Sequence, residues 1–277
     1  ASATDSHNTA VGFSAGLSVT TGYNNTLIGG LAGDAITTGH SNTTLGVSSL
    51  GINTTGIYNL ALGISALESN TTASYNTAVG SRSLEANTTG ASLVAVGYAA
   101  LIANTTAADN TAVGAYALVS NTTGASNSAL GHDALAANTT GSNNTAIGVF
   151  ALDANTTAAS NTAVGYASLG ANTTGASNTA VGRSALTANT TGAYNTAVGA
   201  RAGDALTVGS QNIAIGYSAL TSDTKGSKSI AIGESALYTQ NFTTATDTYN
   251  VAVGENAGMS VTTGLRNTII GGLAGDA

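Results

Sequence analysis

Apolar and polar positions recur along this chain with a period of 17 residues. Counting Asn8 as position 1, coils begin at 8, 25, 42, 59, 76, 93, 110, 127, 144, 161, 178, 195, 212 and 229. A four-residue insertion lengthens the stretch 229–249, and two further coils begin at 250 and 267. Position 5 is Gly and position 4 is Val, Ile or Leu in all sixteen coils, while position 3 is Ala in thirteen. Local alternation of period 2 that stops at a Gly predicts a short strand ending in a turn. A helical repeat is disfavoured, because Thr, Asn and Gly are poor helix formers and each interior Gly costs about 1 kcal/mol against Ala. The alternation is read with positions 2 and 4 facing inward and position 3 outward. Val79, Val96 and Val113 then belong to a core ladder, and Ala78, Ala95, Ala112 and Ala129 to an outward stripe.

The second half of each coil supplies the bulk. Position 9 is Leu in eleven coils, and in ten of these position 12 is Asn or Asp223. Where position 9 is Gly in a complete coil, position 12 turns aliphatic: Gly16 with Val19, Gly33 with Ile36, Gly203 with Leu206, Gly258 with Val261. One large apolar side chain is kept per half-coil while its origin switches, which is compensation for core volume. Leu84, Leu101 and Leu118 are expected to complete the core ladder. Asn87, Asn104, Asn121 and Asn138 are expected to form an Asn ladder, each amide bonding its copies above and below. These features predict an all-β parallel β-solenoid of about sixteen 17-residue coils. Residues 1–7 form a lead-in and 8–277 one continuous solenoid. Coils rising ~4.8 Å each would give a rod of ~75 Å, stabilised by contacts between neighbours.

Composition narrows the function classes. Of the 277 residues only 7% are charged and 5% aromatic, with 36 Gly and no Pro, Cys or Trp. The formal net charge of −7 is thinly spread and no basic patch exists, so nucleic-acid binding is not expected. The longest mostly apolar run, LVAVGYAALIA at 93–103, falls far short of the ~20 residues a membrane helix needs. No signal peptide is visible. Without Cys there are no disulfides or thiolate metal ligands.

At NTAVG, QNIAIG (211–216) and KSIAIG (228–233) the chain resembles the head repeats of trimeric autotransporter adhesins. Its NTAVGxxAL…NTTG strings are similar to the shaft repeats of bacteriophage tail fibres, and the likeness covers nearly the whole chain. The adhesin repeat is shorter, and the NTTG half departs from it. The resemblance implies a left-handed parallel β-roll, three chains side by side, on the outside of a cell or virion. The Ala stripe gives a separate argument for a homotrimer, since a long uncharged stripe is more apolar than monomers expose; Ala as a bland solvent-facing residue is the other reading.

No catalytic, cofactor-binding or metal-binding constellation is found. His7, His40 and His132 fall at different phases and read as solvated turn residues. Glu68 and Glu85 share position 10 with Arg82 nearby; an exposed pair tempered by Arg outweighs a cation site. GDA at 33–35, 203–205 and 275–277 is a turn variant, and IGGLAG at 28–33 lacks the strand-to-helix context of a phosphate loop. Thr71 with Thr72, Thr88 with Thr89, and Thr105 with Thr106 resemble ice-binding arrays, or are strand-turn elements. Tyr58 and Tyr75 share position 17, and Tyr98, Tyr166 and Tyr217 position 6; they pack at turns or stack on sugars. The Asn-Thr-Thr triplets match the glycosylation sequon. Residues 8–35 recur at 250–277 with 21 of 28 identities, which suggests a window onto a longer fibre or ends that stack into a filament; an intact native mass near 26.7 kDa would exclude the former.

The expectation is therefore a non-enzymatic, extracellular structural fibre, an adhesin or tail-fibre type spacer on a cell or virion surface. Its partner is itself, as homotrimer or end-to-end filament, with no membrane insertion. A direct binding module for a host glycan, host protein or ice is the alternative. A carbohydrate-active β-helix enzyme is disfavoured, lacking an acid/base cluster.

Overall fold

The computed structural model describes residues 6–276, so residues 1–5 of the lead-in and Ala277 of the last GDA lie outside the described residues. The chain is an all-β parallel β-solenoid of about 15 turns, with coils of about 17 residues. It divides into two compact units, residues 1–140 and 141–277.

Among the described residues, the first unit holds eight three-residue strands, from Thr9–Val11 to Ser128–Leu130. Each pairs in parallel with the next, identical positions over one another: Thr77 over Val94, Ala78 over Ala95, Val79 over Val96. The second unit repeats the pattern from Thr145–Ile147 to Thr268–Ile270. Its insertion adds a two-residue parallel pair, Gly226–Ser227 with Thr246–Asp247.

Gly at position 5 ends each strand. Gly97 has φ +135°, and a Cβ there would lie 2.5 Å from the carbonyl oxygen of Gly114 in the next coil. Both the backbone and the close approach of stacked turns demand Gly. Beyond it, positions 7, 9 and 17 are left-handed even where they are not Gly: Arg82 φ 62°, Leu84 φ 52°, Ser92 φ 58°. Each such residue costs roughly 1–2 kcal/mol. The stacked coil holds them, because turn N–H groups donate to neighbouring coils: Leu84 to Ala100 O at 3.0 Å, Arg82 to Ile64 O at 2.9 Å, Thr88 to Thr105 O at 2.9 Å.

The strand alternation runs opposite to the sequence reading. Ala78, Ala95 and Ala112 are completely buried and Ala129 nearly so. Val79, Val96 and Val113 are half-buried on the outer face. The Ala column therefore forms no inter-chain stripe, and these Val do not belong to the interior. Volume across the coil is the reason. Position 9 fills the roll: Leu84, Leu101 and Leu118 are fully buried. Position 3 faces it and must be small, by the rule that large meets small across a close-packed core. The exceptions show the pairing. At Gly16 a Cβ would lie 3.8 Å from the Cβ of Ala10, and at Gly33 2.8 Å from Leu27 Cδ2 and Ile36 Cδ1. Position 3 is Leu27 or Ile269 in the coils that carry Gly33 and Gly275. A missing Leu at position 9 is thus filled from position 12, from position 3, or from a neighbouring coil.

Two buried Asn columns close the coil. At position 12, Asn104 Nδ2 donates to Asn87 Oδ1 at 2.9 Å and Asn121 Nδ2 to Asn104 Oδ1 at 3.1 Å. Asn138 Nδ2 donates to Asn121 Oδ1 at 2.8 Å. At position 1, the Asn76 N–H donates to Asn59 Oδ1 at 3.1 Å, while Asn76 Nδ2 donates to Gly90 O at 2.9 Å. Backbone groups that a turn would otherwise orphan are thereby satisfied. The ladder ends where its sequence does: Leu206 follows Asn189, and Asn189 Oδ1 is buried with no partner.

Candidate functional site

Among the described residues only Thr44 Oγ1 and Asn189 Oδ1 are buried side-chain polar atoms without a partner, so the chemistry available to a partner lies on outward columns. The first is the strand face. Position 4 presents an aliphatic side chain in every coil, and several are well exposed: Leu45 at 51%, Leu130 at 50%, Ile147 at 40%. Position 2 beside it is mostly Thr, with Leu60, Val94, Ile213, Ile230 and Val251 interspersed. In-register pairing puts each of these residues over its counterpart. The result is an uncharged, mostly β-branched face along the strands of each unit.

The second column is aromatic. In the first unit Tyr23 stacks on His40 with centroids 4.5 Å apart. His40 meets Tyr58 edge-on at 5.5 Å, and Tyr58 stacks on Tyr75 at 5.6 Å. A separate ridge joins Tyr98, Tyr116 and His132 by edge contacts at 5.4 and 5.9 Å. In the second unit Phe150 meets Tyr166 at 6.0 Å. These ridges escape a reading by exact phase, because they combine positions 16 with 17 and 6 with 7. A ring one residue out of phase still reaches its neighbour across a single coil rise. The two His thus join ring ladders rather than standing alone in solvent. Stacking at 5.6 Å covers part of the facing rings of Tyr58 and Tyr75, and both residues remain more than half exposed.

The Thr pairs divide between two roles. Position 13 hydroxyls donate to the next coil, as Thr71 Oγ1 does to Thr88 O at 3.1 Å and Thr88 Oγ1 to Thr105 O at 2.9 Å. Position 14 residues Thr72, Thr89 and Thr106 are exposed. The pairs therefore do not present two free hydroxyl columns on one face.

Charges follow a local rule. An acid at position 10 pairs with an Arg at position 7: Arg82 Nε to Glu85 Oε2 at 2.6 Å, Arg201 Nε to Asp204 Oδ2 at 2.8 Å. The Arg82 guanidinium is raised by its hydrogen bond to Glu85 and then by Tyr98. Coils with Leu31 or Ser65 at position 7 have no such partner. Asp34 and Glu68 make no ion pair among the described residues and instead line a cavity of about 210 Å³ around Gly51. Among the described residues, no group of three or more His, Cys, Asp or Glu is arranged to hold a metal ion, and no helix is long and apolar enough to cross a membrane.

The insertion replaces both Asn columns with a buried polar knot. Asp223, in the position of a ladder Asn, accepts from the Gly226 N–H at 2.9 Å, the Phe242 N–H at 3.0 Å and Gln240 Nε2 at 2.6 Å. Gln240 Nε2 also donates to Ser229 Oγ at 2.8 Å, and Asn250 Nδ2 donates to Gln240 Oε1 at 2.8 Å. Outside it, Lys228 Nζ holds Asp247 Oδ2 at 2.6 Å over the Tyr249 ring. The knot is fully buried: Asp223, Ser229, Gln240 and Asn250 expose no surface.

No protein-family model, curated protein or solved structure matches the chain.

Proposed function

We propose that the protein is the shaft of an extracellular surface appendage, of the adhesin or tail-fibre type, in which three copies pack side by side. The observation that carries this reading is the outward column at position 4. Sixteen coils each place a Val, Ile or Leu there, and the residue is half-buried or exposed in the single chain. Extended apolar surface of this kind marks a protein interface. The interface moves accordingly, from the buried Ala column to the Thr and Val face beside it. Coils that bond neighbours through two Asn columns and a strand ladder resist bending, and the task is to hold an attachment tip away from its base.

Light scattering tests this on the isolated chain. A mass three times 26.7 kDa is expected, with narrow particles by electron microscopy. A monomer at micromolar concentration would defeat the reading. A second reading, direct glycan binding, is supported by the exposed ridge of Tyr58 and Tyr75. A glycan-array signal lost in Tyr58→Ala and Tyr75→Ala chains of unchanged mass would favour it.

A further inference from the structure

Thirteen Asn residues head an Asn-X-Ser/Thr sequon. Ten belong to Asn-Thr-Thr triplets: Asn42 at position 1 and nine at position 12, from Asn53 to Asn189. All ten are fully buried. Their Nδ2 atoms, the atoms a glycan would take, face inward as donors. Asn87 Nδ2 donates to Asn70 Oδ1 at 3.1 Å and to Gly90 O at 2.9 Å, and Asn172 Nδ2 to Asn155 Oδ1 and Gly175 O, both at 3.0 Å. The other three are different. Asn24 and Asn143 sit at the outward position 17 and Asn241 in the insertion, and all three are exposed.

We propose that the fold and Asn-linked glycosylation at the ten triplets exclude one another. It follows that the chain folds where Asn is not glycosylated, and that Asn24, Asn143 and Asn241 are the acceptor sites compatible with the native state. In the transfer, the Asn Nδ2 forms a bond to C1 of an oligosaccharide carried on a lipid diphosphate. The C1–O bond breaks, the diphosphate leaves with the lipid, and the amide gives up one proton. The product keeps one N–H where the ladder uses two, and it carries a bulky polar group that belongs at a surface. At a fully buried site it forces the Asn out of the coil, leaving the carbonyl groups it had satisfied unpaired.

The test is to secrete the full chain from a eukaryotic cell that glycosylates Asn, beside a variant lacking the ten sequons. In that variant Thr72→Val and its eight exposed equivalents at position 14, with Thr44→Ala, remove the sequons and keep every ladder Asn. Site occupancy is mapped by mass spectrometry in protease-resistant and protease-sensitive fractions. The expected result is glycan on triplet Asn residues only in the sensitive fraction. The resistant fraction should carry glycan at Asn24, Asn143 and Asn241 alone, and the variant should yield several-fold more of it. A glycan on any ladder Asn of a protease-resistant chain would overturn the proposal. So would resistant chains bare at Asn24, Asn143 and Asn241, or a variant that yields no more resistant protein than the native sequence.

Discussion

Coils 25–41 and 110–126, both in the first unit, perform the same task with different atoms. In 110–126, Leu118 fills the interior from a left-handed backbone at φ 52°, Asn121 continues the ladder, and Ala112 faces them. In 25–41, Gly33 takes that backbone angle without steric penalty, while Leu27 and Ile36, both fully buried, supply the volume. The first solution accepts about 1–2 kcal/mol of backbone strain per Leu in return for a position left free for Asn. The second relieves the strain and gives up the Asn. Core volume and turn hydrogen bonding are thus traded within one 17-residue frame, and only position 5 is common to every version.

The largest expected effect lies at that shared position. Gly97→Ala puts a side chain at φ +135° against the carbonyl of Gly114. It should destabilise by about 2–6 kcal/mol, from backbone strain and overpacking together, read as a fall in urea midpoint. Next comes conversion of one coil type into the other. Leu118→Gly alone should lose about 2–5 kcal/mol. Adding Asn121→Ile should recover part of this, and a double-mutant cycle should show favourable coupling of about 0.5–3 kcal/mol. Strict additivity would break the comparison, because it would mean that the two positions do not share a volume.

A smaller effect separates ladder positions by their neighbours. Ala107 O accepts from Asn104 Nδ2 at 3.0 Å and faces Leu93 where other coils have Asn. Gly90 O accepts from both Asn76 and Asn87. Asn104→Ala should therefore lose about 1–3 kcal/mol, the penalty of an orphaned buried carbonyl, and Asn87→Ala less, by equilibrium unfolding. The smallest effect on stability is expected on the outer face. Val113→Lys should shift stability within about 0.5 kcal/mol and reduce the particle mass by light scattering, whereas Ala112→Leu should destabilise the single chain. The reverse pairing of outcomes would restore the inward reading of Val113.

How much of this was legible varies by residue. The exchange of Leu for Gly at position 9 against Asn for Ile at position 12 is visible in sequence, because both positions lie in one coil. The partnership of position 3 with position 9 was equally present, in Leu27 with Gly33 and Ile269 with Gly275, but it emerges only once the two are known to face each other. The aromatic ridges were hidden by their phase. Tyr23, His40, Tyr58 and Tyr75 share no single position, and their contacts depend on which way each turn projects its side chain.

The sequence by itself determined the period, the three-residue strand, the Gly turn, and the identity of the residues that stack on copies of themselves. These follow from local sterics and from repetition, which any stacked coil must obey. Only the tertiary structure decided which face of the strand is inside. An alternation of period 2 is unchanged when its two faces are exchanged, so Thr-Ala-Val is compatible with either. The choice is made across the coil, where Leu118 already occupies the interior and leaves room for the methyl group of Ala112 but none for Val113.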